Sequence, residues 1–85
     1  MKKAIYAYTP LCGTCQVAGK ILDVAEEIVP DVEIERVDLN YAKELAERYQ
    51  IESVPCLILL HEEKAVDKIY AFQSVSYIVE RLRDL

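Results

Sequence analysis

Short apolar runs in this chain alternate with longer segments whose apolar positions have helical spacing. Ala4 to Tyr8 is an apolar, tyrosine-rich run closed by Thr9-Pro10, the pattern of a strand buried on both faces. From Gln16 to Val29 the apolar positions are Val17, Ile21, Val24 and Ile28, with Ala18, Leu22, Ala25 and Val29 beside them. Lys20, Asp23 and Glu27 fill the opposite side, which predicts a four-turn amphipathic helix, stopped by Pro30-Asp31. Val32 to Asp38 begins by alternation, Val32 and Ile34 facing one way and Glu33 and Glu35 the other. Charges on a short strand suit a sheet edge, where they discourage pairing with other chains. Asn40 is placed to cap a short helix in which Tyr41, Leu45 and Tyr49 recur every four residues. Cys56 to Leu60 reads as a second fully buried strand. The turn His61-Glu62-Glu63-Lys64 lacks the Gly or Asn usual in hairpins. Ala65 to Phe72 forms a weaker strand, and Ser74 caps a last helix with Val75, Ile78, Val79, Leu82 and Leu85 at helical spacing.

The order β-α-β-α-β-β-α predicts an α/β protein with one domain over residues 1–85. The first β-α-β closes as a right-handed crossover with parallel strands, and the last two strands form an antiparallel hairpin. The two most hydrophobic strands are central and the two charged ones lie at the edges. The expectation is a four-stranded mixed central sheet with helices on both faces.

Charge and cysteine count narrow the function. Fifteen acidic against ten basic residues give a net charge of −5, which makes nucleic-acid backbones and anionic membranes poor partners. No apolar run approaches the ~18 residues a membrane span needs. Met1-Lys2-Lys3 carries the charge of a leader, but the apolar run after it is too short for one. A cytoplasmic location is expected, and a monomer. An odd number of cysteines, three, does not suggest a disulfide scaffold, so the thiols are expected to be reduced, catalytic or metal-bound.

Cys12-Gly13-Thr14-Cys15 stands where the first strand hands over to the first helix. Cys12 lies near that helix's N-terminus, where unpaired N–H groups and the positive dipole end favour a thiolate. A spacing of three on the first turn brings Cys15 within bonding distance of Cys12. Such surroundings lower a thiol pKa from ~8.5 to between ~3.5 and ~7.5. One cysteine then attacks a substrate disulfide, and the other expels the product. A metal site is the competing reading, since Cys12, Cys15, Cys56 and His61 have the composition of a Cys3His zinc site. Cys56 and His61 are five positions apart on one strand, however, roughly 16 Å from each other. A site of the three cysteines with an external ligand stays open, as an alternative metal or iron–sulfur module. His61 itself reads as a solvated turn residue. Ser53-Val54-Pro55-Cys56 puts a proline at the first position of a central strand, where no ladder donor is missed.

With CGTC and Val54-Pro55 at this spacing and in this element order, the chain resembles the thioredoxin superfamily over nearly its whole length. The resemblance implies a thioredoxin-like fold and a thiol–disulfide oxidoreductase whose redox pair, Cys12 and Cys15, needs no bound cofactor. It implies a cis Pro55 lying against the cysteine pair, and a Val54 backbone that receives an extended substrate segment like a neighbouring strand. Leu11, Gly13 and Thr14 complete the expected substrate contact. The implied partners are disulfide-containing proteins and a recycling reductase. Several positions depart from the family: Leu11 replaces a Trp, Thr14 a Pro, Cys56 a Thr, and Tyr6 a buried Asp thought to accept the second thiol's proton. A Gly after the last strand is replaced within Ala71-Phe72-Gln73. The Gly-Gly and acidic pair of glutathione-binding relatives are absent from the sequence. Leu11 and Tyr6 also leave room for an interaction module with little turnover. Cys56 has three readings: a small buried apolar residue, a third redox thiol, or a metal ligand.

Overall fold

In a computed structural model of the chain, residues 2–85 are described; Met1, named above with the basic start of the chain, lies outside the described residues. The elements are β1 (Lys2–Tyr8), α1 (Gly13–Ile28), β2 (Glu33–Asp38), a turn of 3-10 helix (Leu39–Tyr41), α2 (Lys43–Tyr49), β3 (Cys56–His61), β4 (Lys64–Ile69) and α3 (Val75–Arg83). The sheet order is β2-β1-β3-β4. β1 and β2 are parallel, and β3 runs antiparallel to both β1 and β4. The two apolar runs are thus the central strands and the two charged ones the edges, as their composition predicts.

Alternation along the central strands sends side chains to two separate cores. Ala4, Tyr6, Leu57 and Leu59 pack with Ala18, Leu22 and Ala25 of α1 and with Ile78, Val79 and Leu82 of α3. Ile5, Ala7, Cys56, Ile58 and Leu60 point to the other face, where Leu45 and Tyr49 of α2 cover them. Helices therefore lie on both faces, and the cysteine loop sits at the end of β1 where α1 begins.

The structure decides one point that the periodicity left open, on α1, and corrects three local expectations, at Asn40, Tyr41 and the end of β4. On α1 the buried stripe is Ala18, Leu22 and Ala25, continued by Val29, whereas Val17, Val24 and Ile28 are 62%, 45% and 45% exposed. The small alanines let the helix approach the sheet closely, and the larger stripe becomes its open shoulder. Asn40 caps no α-helix: its N–H donates to the Asp38 carboxylate at 2.9 Å, which caps the 3-10 turn, and α2 starts at Lys43 without a side-chain cap. Tyr41 lies outside α2 and is exposed. β4 ends at Ile69, three residues short of Phe72, and the ladder shifts register between Leu59 and Leu60. In the hairpin turn Glu62 and Glu63 take φ of 52° and 68°, the left-handed backbone that two-residue hairpin turns demand and that glycine or asparagine adopts more cheaply.

Candidate active site

Cys12 is the N-cap of α1, with extended backbone, and its sulfur accepts the Cys15 N–H at 3.1 Å. It thus occupies the position where Ser, Thr or Asp ordinarily satisfies a free helix donor. The first turn of α1 carries no acidic residue to oppose negative charge there. The Thr14 hydroxyl lies 3.4 Å from the same sulfur. Cys12 and Cys15 are joined by a disulfide with their Cα atoms 5.1 Å apart. Cys12 is partly exposed, while Cys15 is 3% exposed. The geometry gives one reachable sulfur and one sheltered sulfur, able to bond each other within a single helical turn.

Val54-Pro55 precedes β3, and its peptide bond is cis. Pro55 and Thr14 line one groove of about 380 Å³ with Val17, Ile21, Tyr70 and Phe72 among its other walls. Sequence reasoning did not place Val17, Ile21 or the segment 70–73 here. The signal in the sequence was the Gly that the resemblance calls for within Ala71-Phe72-Gln73; in the structure Gln73 there has φ of 62°, a left-handed backbone that favours glycine. Leu11, Gly13 and Val54 are exposed or half-buried beside the cysteines without lining that groove. Leu11 is fully exposed.

Cys56 is separated from this chemistry although its backbone pairs with Ala7 at the same end of the sheet. Its side chain is fully buried in the core under α2, whereas Cys15 belongs to the helix on the opposite face. Cys56 is the free cysteine of the described residues. Burial pushes its thiol pKa up, against the smaller downward pull of a hydrogen bond with Tyr70 and the Lys68 charge. The Tyr70 hydroxyl is in turn held by the Glu52 N–H at 3.2 Å. His61 lies at the far end of β3, opposite Lys2 and Lys64. Among the described residues no group of three His, Cys, Asp or Glu side chains is placed to hold a metal ion, and no helix is long and apolar enough to cross a membrane.

Tyr6 is the residue the sequence could least place. It is buried between β1 and α1, and its hydroxyl donates to the backbone carbonyl of Cys15. Its ring stacks on Tyr8 at 5.5 Å and meets Phe72 edge-on at 5.8 Å. Burial raises its pKa, with Arg36 opposing.

Comparisons with known proteins agree with this geometry. The family model for thioredoxin matches residues 2–84. The chain is 49% identical over 79 residues to a thioredoxin-like protein of Bacillus subtilis, YusE, covering 93% of this chain and 74% of that protein. It is 28% identical to a thioredoxin of Mycoplasmoides gallisepticum, covering 96% and 82% of the two chains. Among solved structures, a malaria-parasite thioredoxin-2 superposes with a TM-score of 0.92 at 19% identity, covering all of this chain and 84% of that one. A mutant thioredoxin of Halobacterium salinarum gives 0.89 at 20% identity, covering 98% and 73%.

Proposed function

Because the chain belongs to the thioredoxin family and is a thiol–disulfide oxidoreductase with a Cys12–Cys15 redox pair, we propose that Cys12 is its nucleophile and Cys15 its resolving thiol. The observation that carries this order is the cap: Cys12 is the partly exposed sulfur and already receives a helix N–H, while Cys15 is sheltered. In the reduced protein a thiolate at that cap gains the same N–H and the positive helix end, the surroundings that lower thiol pKa values. The Cys12 thiolate attacks a substrate disulfide, forming a mixed disulfide and releasing one substrate thiolate. Cys15, deprotonated, then bonds the Cys12 sulfur and expels the second substrate thiolate, leaving the pair oxidised and the substrate reduced.

The groove walled by Thr14, Val17, Ile21, Pro55 and Phe72 supports a substrate segment with apolar side chains. Leu11 and Gly13 supply exposed contact surface beside Cys12, and the Val54 backbone pairs with the extended segment. The partners on this reading are disulfide-containing proteins and a reductase that returns the pair to the dithiol. The protein works as a cytoplasmic monomer without a bound cofactor. Trapping tests the order of attack. Cys15→Ser is expected to accumulate a mixed disulfide through Cys12, because nothing remains to expel the partner. Accumulation through Cys15 in Cys12→Ser, with none in Cys15→Ser, reverses the roles.

A further inference from the structure

The Tyr6 hydroxyl reaches across from β1 to the carbonyl of Cys15, one of the two cysteines, yet a phenol ionising near or above ~10 is a poor base at neutral pH. Its hydrogen bond holds backbone, and backbone of the first turn of α1 determines where the Cys15 sulfur stands relative to Cys12. The ring is fixed from three sides: stacked on Tyr8, edge-on to Phe72, and against Gly19, where an added Cβ would lie 3.7 Å from the hydroxyl oxygen. The charged and titratable groups that act on it are Tyr8 on β1, Arg36 on β2 and Asp23 on α1. Arg36 is itself tied to α1, 2.7 Å from Asp23 and 3.3 Å from Glu26. Arg36 thus joins β2 to α1, while the Tyr6 hydroxyl joins β1 to α1 at Cys15.

We propose that Tyr6 is a positioning residue for the resolving step: through the Cys15 carbonyl it sets the approach of the Cys15 sulfur to Cys12, and it takes no proton. This rests on Cys15 being the resolving thiol. The step it serves forms the Cys12–Cys15 bond and breaks the bond between Cys12 and substrate sulfur; the electron pair leaves with the substrate thiolate. The Cys15 proton passes to solvent. A small error in approach is costly for an intramolecular attack that depends on alignment.

The experiment uses reduced protein and dithiobis(nitrobenzoate), an aromatic disulfide that releases one coloured thiolate when Cys12 attacks and a second when Cys15 resolves. Tyr6→Phe keeps the ring contacts and removes the hydroxyl. Its second release is expected to be slower by roughly tenfold at every pH, the first release unchanged, and the pH midpoint of the second unchanged. Fluorinated tyrosine at position 6 keeps the donor as long as its phenol is protonated, and is expected to restore the second release at neutral pH, the rescue fading only where the acidified phenol ionises. An unchanged second release in Tyr6→Phe overturns the proposal, as does equal slowing of both releases, which marks a structural role only. A pH midpoint that moves in Tyr6→Phe also overturns it and makes the phenol a proton acceptor. A first release that survives Cys12→Ser and is lost in Cys15→Ser instead overturns the order of attack, leaving that separate failure visible.

Discussion

Cys12 and Cys56 both begin an element at the same end of the molecule, yet their sulfurs have opposite surroundings. Cys12 opens a helix, where the geometry leaves N–H groups without intrahelical partners, and one of them points at its sulfur. Cys56 opens a central strand, whose backbone is paired with Ala7, so no free donor from the ladder reaches its side chain. The first sulfur belongs to a partly exposed residue; the second is buried with Ile5, Ile58 and Leu60. Element type and the face of the sheet, more than distance along the sheet, separate a reachable sulfur from a buried one. The largest expected effect of that difference is in alkylation. In the native reduced protein at pH 7, Cys12 should react with iodoacetamide faster than Cys56 by roughly a hundredfold or more, and denaturation should erase most of the gap. Peptide mapping after timed quenching reads it; comparable native rates would break the comparison.

How much of this was legible in the sequence follows from range. The central strands were readable because both of their faces are buried, so Ala4–Tyr8 and Cys56–Leu60 need no periodicity to stand out. The cysteine pair was readable because its geometry is local, three residues on one helical turn. On α1, however, two apolar stripes run side by side about 100° apart. Period alone does not say whether Val17-Ile21-Val24-Ile28 or Ala18-Leu22-Ala25-Val29 meets the sheet. The alanine stripe wins by permitting close approach, and Val17 and Ile21 are left to line the groove. Asp38 and Asn40 compete for the same turn, and only the folded backbone settles that Asp38 accepts. The link from Tyr6 to Cys15 spans nine residues and joins a side chain to a carbonyl, which no side-chain pattern encodes. The departure from Asp to Tyr was visible; what the Tyr does there was not.

The buried side of the comparison sharpens through stability. Burial raises the Cys56 pKa in the folded state above its ordinary value of 9.0. Below that value the thiol is neutral both folded and unfolded, and its contribution to stability is complete. As pH rises beyond about 9 the unfolded chain ionises first, so the contribution is lost progressively until the folded thiol ionises as well. Cys56→Ala should cost about 1 kcal/mol near pH 7 by leaving a small void, a melting temperature lower by about 4–8 °C in a domain of this size. That deficit should narrow as pH is raised above about 9, because the variant has no thiol to ionise. Tyr6, also raised by burial from 10.0, keeps an alkaline decline of the same sign at higher pH in both proteins. Thermal melts from pH 7 to 10 test this, and a deficit that widens with pH would contradict the burial assigned to Cys56.

The exposed side sharpens through Thr14, with the smallest effect. Its hydroxyl lies 3.4 Å from the Cys12 sulfur at the surface, so water competes for both groups. A thiolate at Cys12 has no proton to give, and the hydroxyl must then be the donor. Thr14→Val preserves the branched shape and removes that donor, while the Cys15 N–H to the same sulfur remains. The cost to the thiolate should be about 0.5 kcal/mol, roughly a twofold lower thiolate fraction wherever the thiol is mostly protonated. Cys12 alkylation should therefore slow about twofold on the acid side of its titration and be unchanged at pH 9 to 10, where the thiolate is complete in both proteins. Equal slowing across the whole pH range would instead assign Thr14 to access or loop geometry, leaving the helix N–H as the donor that distinguishes Cys12 from Cys56.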